Sequence, residues 1–309
     1  MSDSFDESVE SKLAVMEGDR VVVQIGLLAT LYFPNDNQSR IREAVLNCFD
    51  QYREVVGEHL RWSKHPKTFA YHPIDSDKVP APRAWLADLD DVMAWEFEWR
   101  GGEDAESASH FSVKAFSPAT WECPLGYFKV ALPITWYADN EGDFPSLVVD
   151  LCEEISPLHG YGGFGILESP SPTVEHHYEP AVFTLAERFA GLEVDYPVTS
   201  LLHLQEGVKG VNWLTVLGER WLGSLGGIDE LGRKLGEDFD LHAFSGGVVI
   251  QAGPRPQLGN VQTGKRIELY CKAASVLMPV RVREHGSFHH AGEGRFNRQT
   301  TEQWLARFD

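Results

Sequence analysis

The residue types most able to do chemistry are twelve histidines and four cysteines. The histidines are poorly arranged for a metal. His176-His177 and His289-His290 are adjacent pairs, and neighbours on a strand point to opposite sides. His159, His242 and His285 stand alone, and neither H-E-x-x-H nor C-x-x-C occurs. Cys48, Cys123, Cys152 and Cys271 are far apart and read as buried free thiols. There is no G-x-S-x-G elbow to carry a nucleophilic serine. Two glycine motifs suggest phosphate chemistry. Gly160-Tyr161-Gly162-Gly163-Phe164-Gly165 matches G-x-G-x-x-G, which in a dinucleotide fold follows a strand and opens a helix. Here an apparent helix precedes and a strand over Phe164 to Leu167 follows, so the spacing predicts a tight helix-to-strand connection. Gly259 to Arg266 nearly matches a P-loop, but its last position is Arg266, which cannot ligate magnesium, and Pro254 and Pro256 separate it from the preceding strand. It reads as a polar surface loop. No catalytic, cofactor-binding or metal-binding residue is assigned, and no cofactor is expected. An active pair assembled only in space stays open; alanine at His159, His285 or Glu206 would then abolish function without unfolding the chain.

The chain has 309 residues, 43% of them hydrophobic, enough for one well-covered core or two of ordinary domain size. Its charge is lopsided: 27 Lys and Arg against 46 Asp and Glu, a net of −19. Such a field repels nucleic-acid phosphates and anionic lipid and draws in basic partners. The acids cluster. Asp88, Asp90, Asp91, Glu96 and Glu98 form one stretch, Glu103, Asp104 and Glu106 the turn after it, and Asp139, Glu141 and Asp143 another loop. The ordinary meaning of such clusters is a solvated face. The alternative is a docking surface for a basic protein. The acidic first ten residues have no signal-peptide character, and the run Val21 to Phe33 is too short to span a bilayer, so a soluble cytoplasmic protein with no membrane contact is expected.

The elements that would carry these residues predict an α+β fold, with antiparallel or mixed sheets packed with helices in two subdomains. A flexible acidic terminus covers 1–18, an N-terminal α+β subdomain 19–169 and a C-terminal one 170–309, with a soft boundary at Ser169-Pro170-Ser171-Pro172. Val21 to Phe33 reads as a strand and Ser39 to Leu60 as a helix with Ile41, Val45, Phe49 and Tyr52 on one face. Val92 to Arg100 alternates, putting Trp95, Phe97 and Trp99 on a buried side and Glu96 and Glu98 on a solvated one. With His110 to Phe116 and Tyr127 to Tyr137 it suggests an antiparallel meander. Further helices are expected over Pro145 to Ile155, Ala181 to Phe189, Val211 to Leu225, Ile267 to Leu277 and Thr301 to Phe308. Short strands are expected at Thr199 to Leu204, Gly247 to Gln251 and Val280 to Val282.

Several segments in order carry a resemblance. They are Leu158 to Gly165, Gly207 to Leu214 with Leu217-Gly218, Gly246 to Gly253 continuing through Pro256 to Gly259, His285-Gly286, and Thr301 to Phe308. This ordering resembles the type VI secretion immunity family, formerly a domain of unknown function, and its TsiT-like members, over roughly residues 20–309. The resemblance implies a non-catalytic inhibitor that binds a cognate antibacterial effector toxin, most simply a basic nuclease domain, and blocks its active site in the producing cell. The conserved-looking glycine and Trp213 motifs read as scaffold. Toxin contacts are therefore expected on the acidic loops: Asp88, Asp90, Asp91, Glu96, Glu98, Glu103, Asp104, Glu106, Asp139, Glu141 and Asp143. A DNA-mimic charge mechanism, a non-nuclease or periplasmic toxin, and an enzyme remain the alternatives.

Overall fold

The computed structural model describes residues 13–36, 38–140, 143–288 and 294–309, apart from the side chains of 138, 139 and 172–176. Its centre is β2, Arg20–Pro34, a fifteen-residue strand buried along nearly its whole length. One edge of β2 pairs antiparallel with β8 (His159–Glu168) from Val23 to Tyr32. The other edge pairs with β7 (Leu125–Leu132) from Leu27 to Pro34, and the short β1 (Val15–Glu17) hairpins back onto the start of β2. Beyond β7 lie β6 (Ser112–Ser117), β5 (Trp95–Arg100), β3 (Trp62–Lys64) and β4 (Tyr71–Pro73). Beyond β8 lie β9 (Leu214–Gly218), β11 (Gly247–Ala252) and β10 (Phe239–Phe244). These eleven strands make one sheet, antiparallel at every pairing, and the expected α+β class holds. The β5–β6–β7 meander is present. Strands from both sides of residue 170 lie in this sheet, and Pro172 opens a helix, Pro172–Arg188, directly after β8.

Strand alternation gives the sheet two unlike faces. On one, Val23, Ile25, Leu27, Ala29, Leu31 and Phe33 of β2 enter the large core. Helices Gln38–Val56 and Asp143–Ile155 cover that face with Val45, Phe49, Tyr52, Val148 and Leu151. Burying each large aliphatic or aromatic side chain there contributes about 1.5–3 kcal/mol. Phe49 meets Phe97 and Trp99 edge-on at 5.3 and 4.9 Å between ring centres, so the aromatic side of β5 faces the core as its alternation predicts. The other face of β2 carries Gln24, Leu28, Thr30 and Tyr32, and a smaller apolar cluster with Tyr127, Tyr161, Leu201 and Leu204. This second face is the polar one, and it holds the charged side chains that matter below.

Several expectations are corrected. The glycine motif is not a connection: the strand begins at His159 and the glycines lie inside β8. Side chains would collide there, since a Cβ at Gly165 would lie 2.2 Å from Leu28 Cδ2 and one at Gly163 2.3 Å from Asn212 Oδ1. Val211 to Leu225 is not one helix. Leu214–Gly218 is an interior strand and only Glu219–Ser224 is helical. Its apolar residues sit at helical spacing because β9 is buried on both faces and lacks alternation. Thr199 to Leu204 is not a strand; a short helix, Pro197–Leu201, opens there on Pro197. Val280 to Val282 contributes only an isolated bridge at Arg281 after a 3-10 turn. The strand expected to reach Tyr137 ends at Leu132, where Pro133 starts helix Ile134–Asp139. The P-loop-like segment is an exposed turn closed by the Asn260–Lys265 bridge.

Candidate functional site

The acidic candidates separate into groups of different physical kind. Asp88, Asp90 and Asp91 are exposed, in the loop between helix Pro82–Ala87 and β5. Asp91 pairs with Arg42 and accepts the Ser39 hydroxyl at 3.1 Å. Glu103 is exposed in the β5–β6 loop, where Asp104 and Glu106 hold Arg20 at 2.6 and 2.8 Å. These two loops sit at opposite ends of β5, on the order of 20 Å apart for a six-residue strand. Asp143 is exposed in the first turn of Asp143–Ile155, where a carboxylate complements the helix dipole. Asp139 closes helix Ile134–Asp139, and Glu141 lies outside the described residues.

Glu96 and Glu98 are not on a solvated face. Glu96 is half-buried and accepts Lys64 Nζ at 2.8 Å and Lys114 Nζ at 3.0 Å. Glu98 is buried between Arg100 at 3.2 Å and Lys114 at 3.6 Å. Burial raises its carboxyl, but Lys114, Arg100 and Lys64 outweigh that and hold it at about 2. The polar sheet face is covered rather than open, so strand alternation alone misplaces these carboxylates.

Lys64, Glu98, Arg100, Lys114, Lys129 and Asp195 line a cleft of about 400 Å³ on this face. The 195–199 segment forms its far wall. Asp195 accepts Tyr161 Oη–H at 2.6 Å and Thr30 Oγ1–H at 2.8 Å, and pairs with Lys129 Nζ at 2.7 Å. Burial raises Asp195, and Lys129 and Lys209 outweigh it, so it stays ionised below the usual carboxylate range. Behind the cleft, Lys209 is fully enclosed. It donates to Glu193 at 2.8 Å, to the Val194 carbonyl at 2.8 Å and to Tyr161 Oη at 3.2 Å. Glu193 also accepts Arg307 and Asn212, each at 3.2 Å. Sequence reading missed Asp195, Lys129, Lys114 and Lys209. The signal was there for two of them: Lys114 and Lys129 interrupt apolar strands at positions that alternate out of the core.

A second concavity, about 430 Å³, lies between helices Gln38–Val56 and Asp143–Ile155 on the opposite side of the sheet. Glu54, Asp150, Glu153 and Glu154 rim it over Val55 and Leu147. These acids were also missed, because the two helices that bring them together are far apart in the chain.

Of the histidines flagged for chemistry, His159 and His285 are buried, while His289 and His290 lie outside the described residues. His159 is buried, with Nδ1 3.0 Å from the Val216 carbonyl and Nε2 accepting Lys209 N–H at 3.1 Å. Burial lowers it to about 3, so it stays neutral. His285 is similarly lowered to about 4 and lies 4.8 Å from His203, ring centre to ring centre, with the rings tilted at 39°. Glu206 is exposed and pairs with Arg220 at 3.5 Å. Cys48, Cys123 and Cys152 are buried free thiols, and Cys271 is a free thiol that is half-buried. Among the described residues no group of three or more His, Cys, Asp or Glu is placed to hold a metal ion, and no described helix is long and apolar enough to cross a membrane.

Comparison with known proteins adds a family and a fold. Residues 44–308 match the TsiV family, described as type VI immunity for VRR-NUC. Among solved structures, the Pseudomonas aeruginosa T6SS protein PA0821 is similar, with a TM-score of 0.86 at 24% identity over 94% of this chain and 83% of that one. At that identity the likeness speaks for the fold alone. No curated protein sequence matches.

Proposed function

The chain belongs to the type VI immunity family for VRR-NUC nucleases, an inhibitor family rather than an enzyme family, and from that premise we propose that it neutralises its nuclease by occlusion. The inhibitor binds one-to-one and covers the cleft through which the nuclease takes up DNA. It acts in the cytoplasm, where the chromosome needs protection. The partner surface is basic, as a DNA-accepting surface must be.

The observation that supports this reading is the disposition of the surface acids. Asp88, Asp90, Asp91, Glu103 and Asp143 project into solvent, and Glu54, Asp150 and Glu153 border a groove between two helices. Exposed single-sign charge of this kind raises the encounter rate with a positive partner. Asp104 and Glu106 belong to the same proposed surface with their charge partly spent on Arg20. Glu96 and Glu98 act differently, since lysines already hold them.

Titrating the VRR-NUC nuclease domain with purified chain tests the proposal. DNA cleavage should fall linearly and end near one equivalent, and the pair should co-elute. Full protection by substoichiometric chain would reveal turnover and end the occlusion reading. Binding that collapses as salt rises above the range where the Debye length is about 8 Å would favour a purely charge-based DNA mimic instead.

A further inference from the structure

The polar-face cleft gathers four cations, Lys64, Arg100, Lys114 and Lys129, in an otherwise acidic protein. In its ion pairs the ammonium is the more accessible partner. The Lys114 side chain is 31% exposed against 8% for Glu98, and Lys129 is 19% exposed against 0% for Asp195. Glu98 and Asp195 form the floor with the two lysines in front of them, and Glu168, half-buried in the same lining, accepts the Tyr196 hydroxyl at 3.3 Å. Arg100 is buried at the same wall, and its Nε has no hydrogen-bond partner among the described residues. An incoming group therefore meets the Lys114 and Lys129 ammoniums before the carboxylates behind them.

The rim is apolar. Val198 lines the mouth and is 54% exposed. Four residues on, Leu202 is 63% exposed, and Trp121 is 68% exposed. Their neighbours fix them to one neighbourhood, because Cys123 Sγ–H donates to the Leu201 carbonyl at 3.6 Å. Exposed tryptophan and aliphatic side chains beside a polar recess have the composition of a protein-docking site, not of a solvated face.

We propose that this cleft receives a carboxylate side chain from an apolar-flanked segment of the nuclease, with Lys114 and Lys129 as its counter-ions and Val198, Leu202 and Trp121 as its collar. This rests on the immunity reading and deepens it by naming a specificity contact distinct from the exposed acids. A protein carboxylate is favoured over a polyanion. The net charge of −19 repels a string of phosphates at long range, whereas one carboxylate within a neutral or basic partner is carried in by the rest of the docking. The acidic surface supplies attraction and the cationic cleft fixes register, since a partner lacking an acid at that point leaves the cleft unfilled.

Val198 allows a test that leaves the ion pairs intact. The wild-type chain, Val198→Glu and Val198→Lys are titrated against a fluorescently labelled VRR-NUC nuclease domain, with urea midpoints confirming equal folding. Both variants lose the collar contact, but Val198→Glu also places a like charge in the mouth and should raise Kd at least tenfold above that of Val198→Lys. Equal Kd values for all three, or equal weakening by both variants, overturn the proposal while leaving the immunity reading standing. A wild-type chain that fails to bind the nuclease removes the immunity reading and this one with it. A double-stranded DNA oligonucleotide bound by wild type and released by Val198→Glu would assign the cleft to a polyanion and also overturn it.

Discussion

Replacing Lys209 by Met probes the enclosed ion cluster that ties the 193–195 segment and the C-terminal helix Arg298–Leu305 to the polar sheet face. The Lys209 side chain is 1% exposed. Its ammonium touches Glu193, the Val194 carbonyl and Tyr161 Oη, and lies within 5.6 Å of the centres of the Tyr161, Phe288 and Trp304 rings. Methionine matches the stem but removes the charge. Removing one member of a buried ion pair costs about 3–5 kcal/mol, because the partner keeps its desolvation penalty. Glu193 still accepts Arg307 and Asn212, which places Lys209→Met at the low end, about 3 kcal/mol. Glu193→Gln should cost more, about 5 kcal/mol, because it leaves two enclosed cations, Lys209 and Arg307, without their shared counter-ion. With a denaturant slope of roughly 3 kcal/mol/M for a chain this long, these losses lower the urea midpoint by about 1 M and about 1.7 M. Equilibrium urea unfolding followed by tryptophan fluorescence reads both. A loss below about 1 kcal/mol in either variant, or Lys209→Met exceeding Glu193→Gln, would refute the assignment of Glu193 as the hub.

Three further outcomes follow from the same structure. Gly165→Ala drives a Cβ to within 2.2 Å of Leu28 Cδ2 in the central strand pair and should cost about 1–3 kcal/mol by urea unfolding, against no change for Gly210→Ala, where nothing lies within 4 Å. Trp213→Phe removes the indole N–H that reaches the Gly253 carbonyl at 2.9 Å and should cost about 1–3 kcal/mol, read by thermal denaturation. Stability should fall with acid in two stages. His159 is held neutral well below its ordinary 6.5, so the folded state resists a proton that the unfolded chain takes up, and stability declines as pH drops below 6.5. Glu98, held at about 2 against an ordinary 4.5, adds a second loss as pH falls from 4.5 toward 2, on the order of 3 kcal/mol once complete. Urea midpoints measured from pH 7.5 to 2 check this: a flat profile from 6.5 to 4.5 would count against the His159 assignment and a flat profile below 4.5 against that of Glu98.

The sequence by itself determined the α+β class, the long central strand, the helix beginning near residue 38 and the aromatic side of β5. Each of these is a local period, and a period survives in the chain however distant segments pack. It also carried the family, through ordered glycine and tryptophan motifs that the fold needs. It misread β9, because a strand buried on both faces loses the alternation that distinguishes it from a helix. It placed Glu96 and Glu98 in solvent, because alternation says which residues share a face and not what covers that face. Only the tertiary structure decided which charges are free. Thr30, Lys129 and Asp195 meet across long stretches of chain, and Glu54 finds Asp150 and Glu153 only when two helices lie side by side. A carboxylate's solvation and ionisation depend on neighbours within a few ångströms, and those neighbours are set by packing rather than by nearness in sequence.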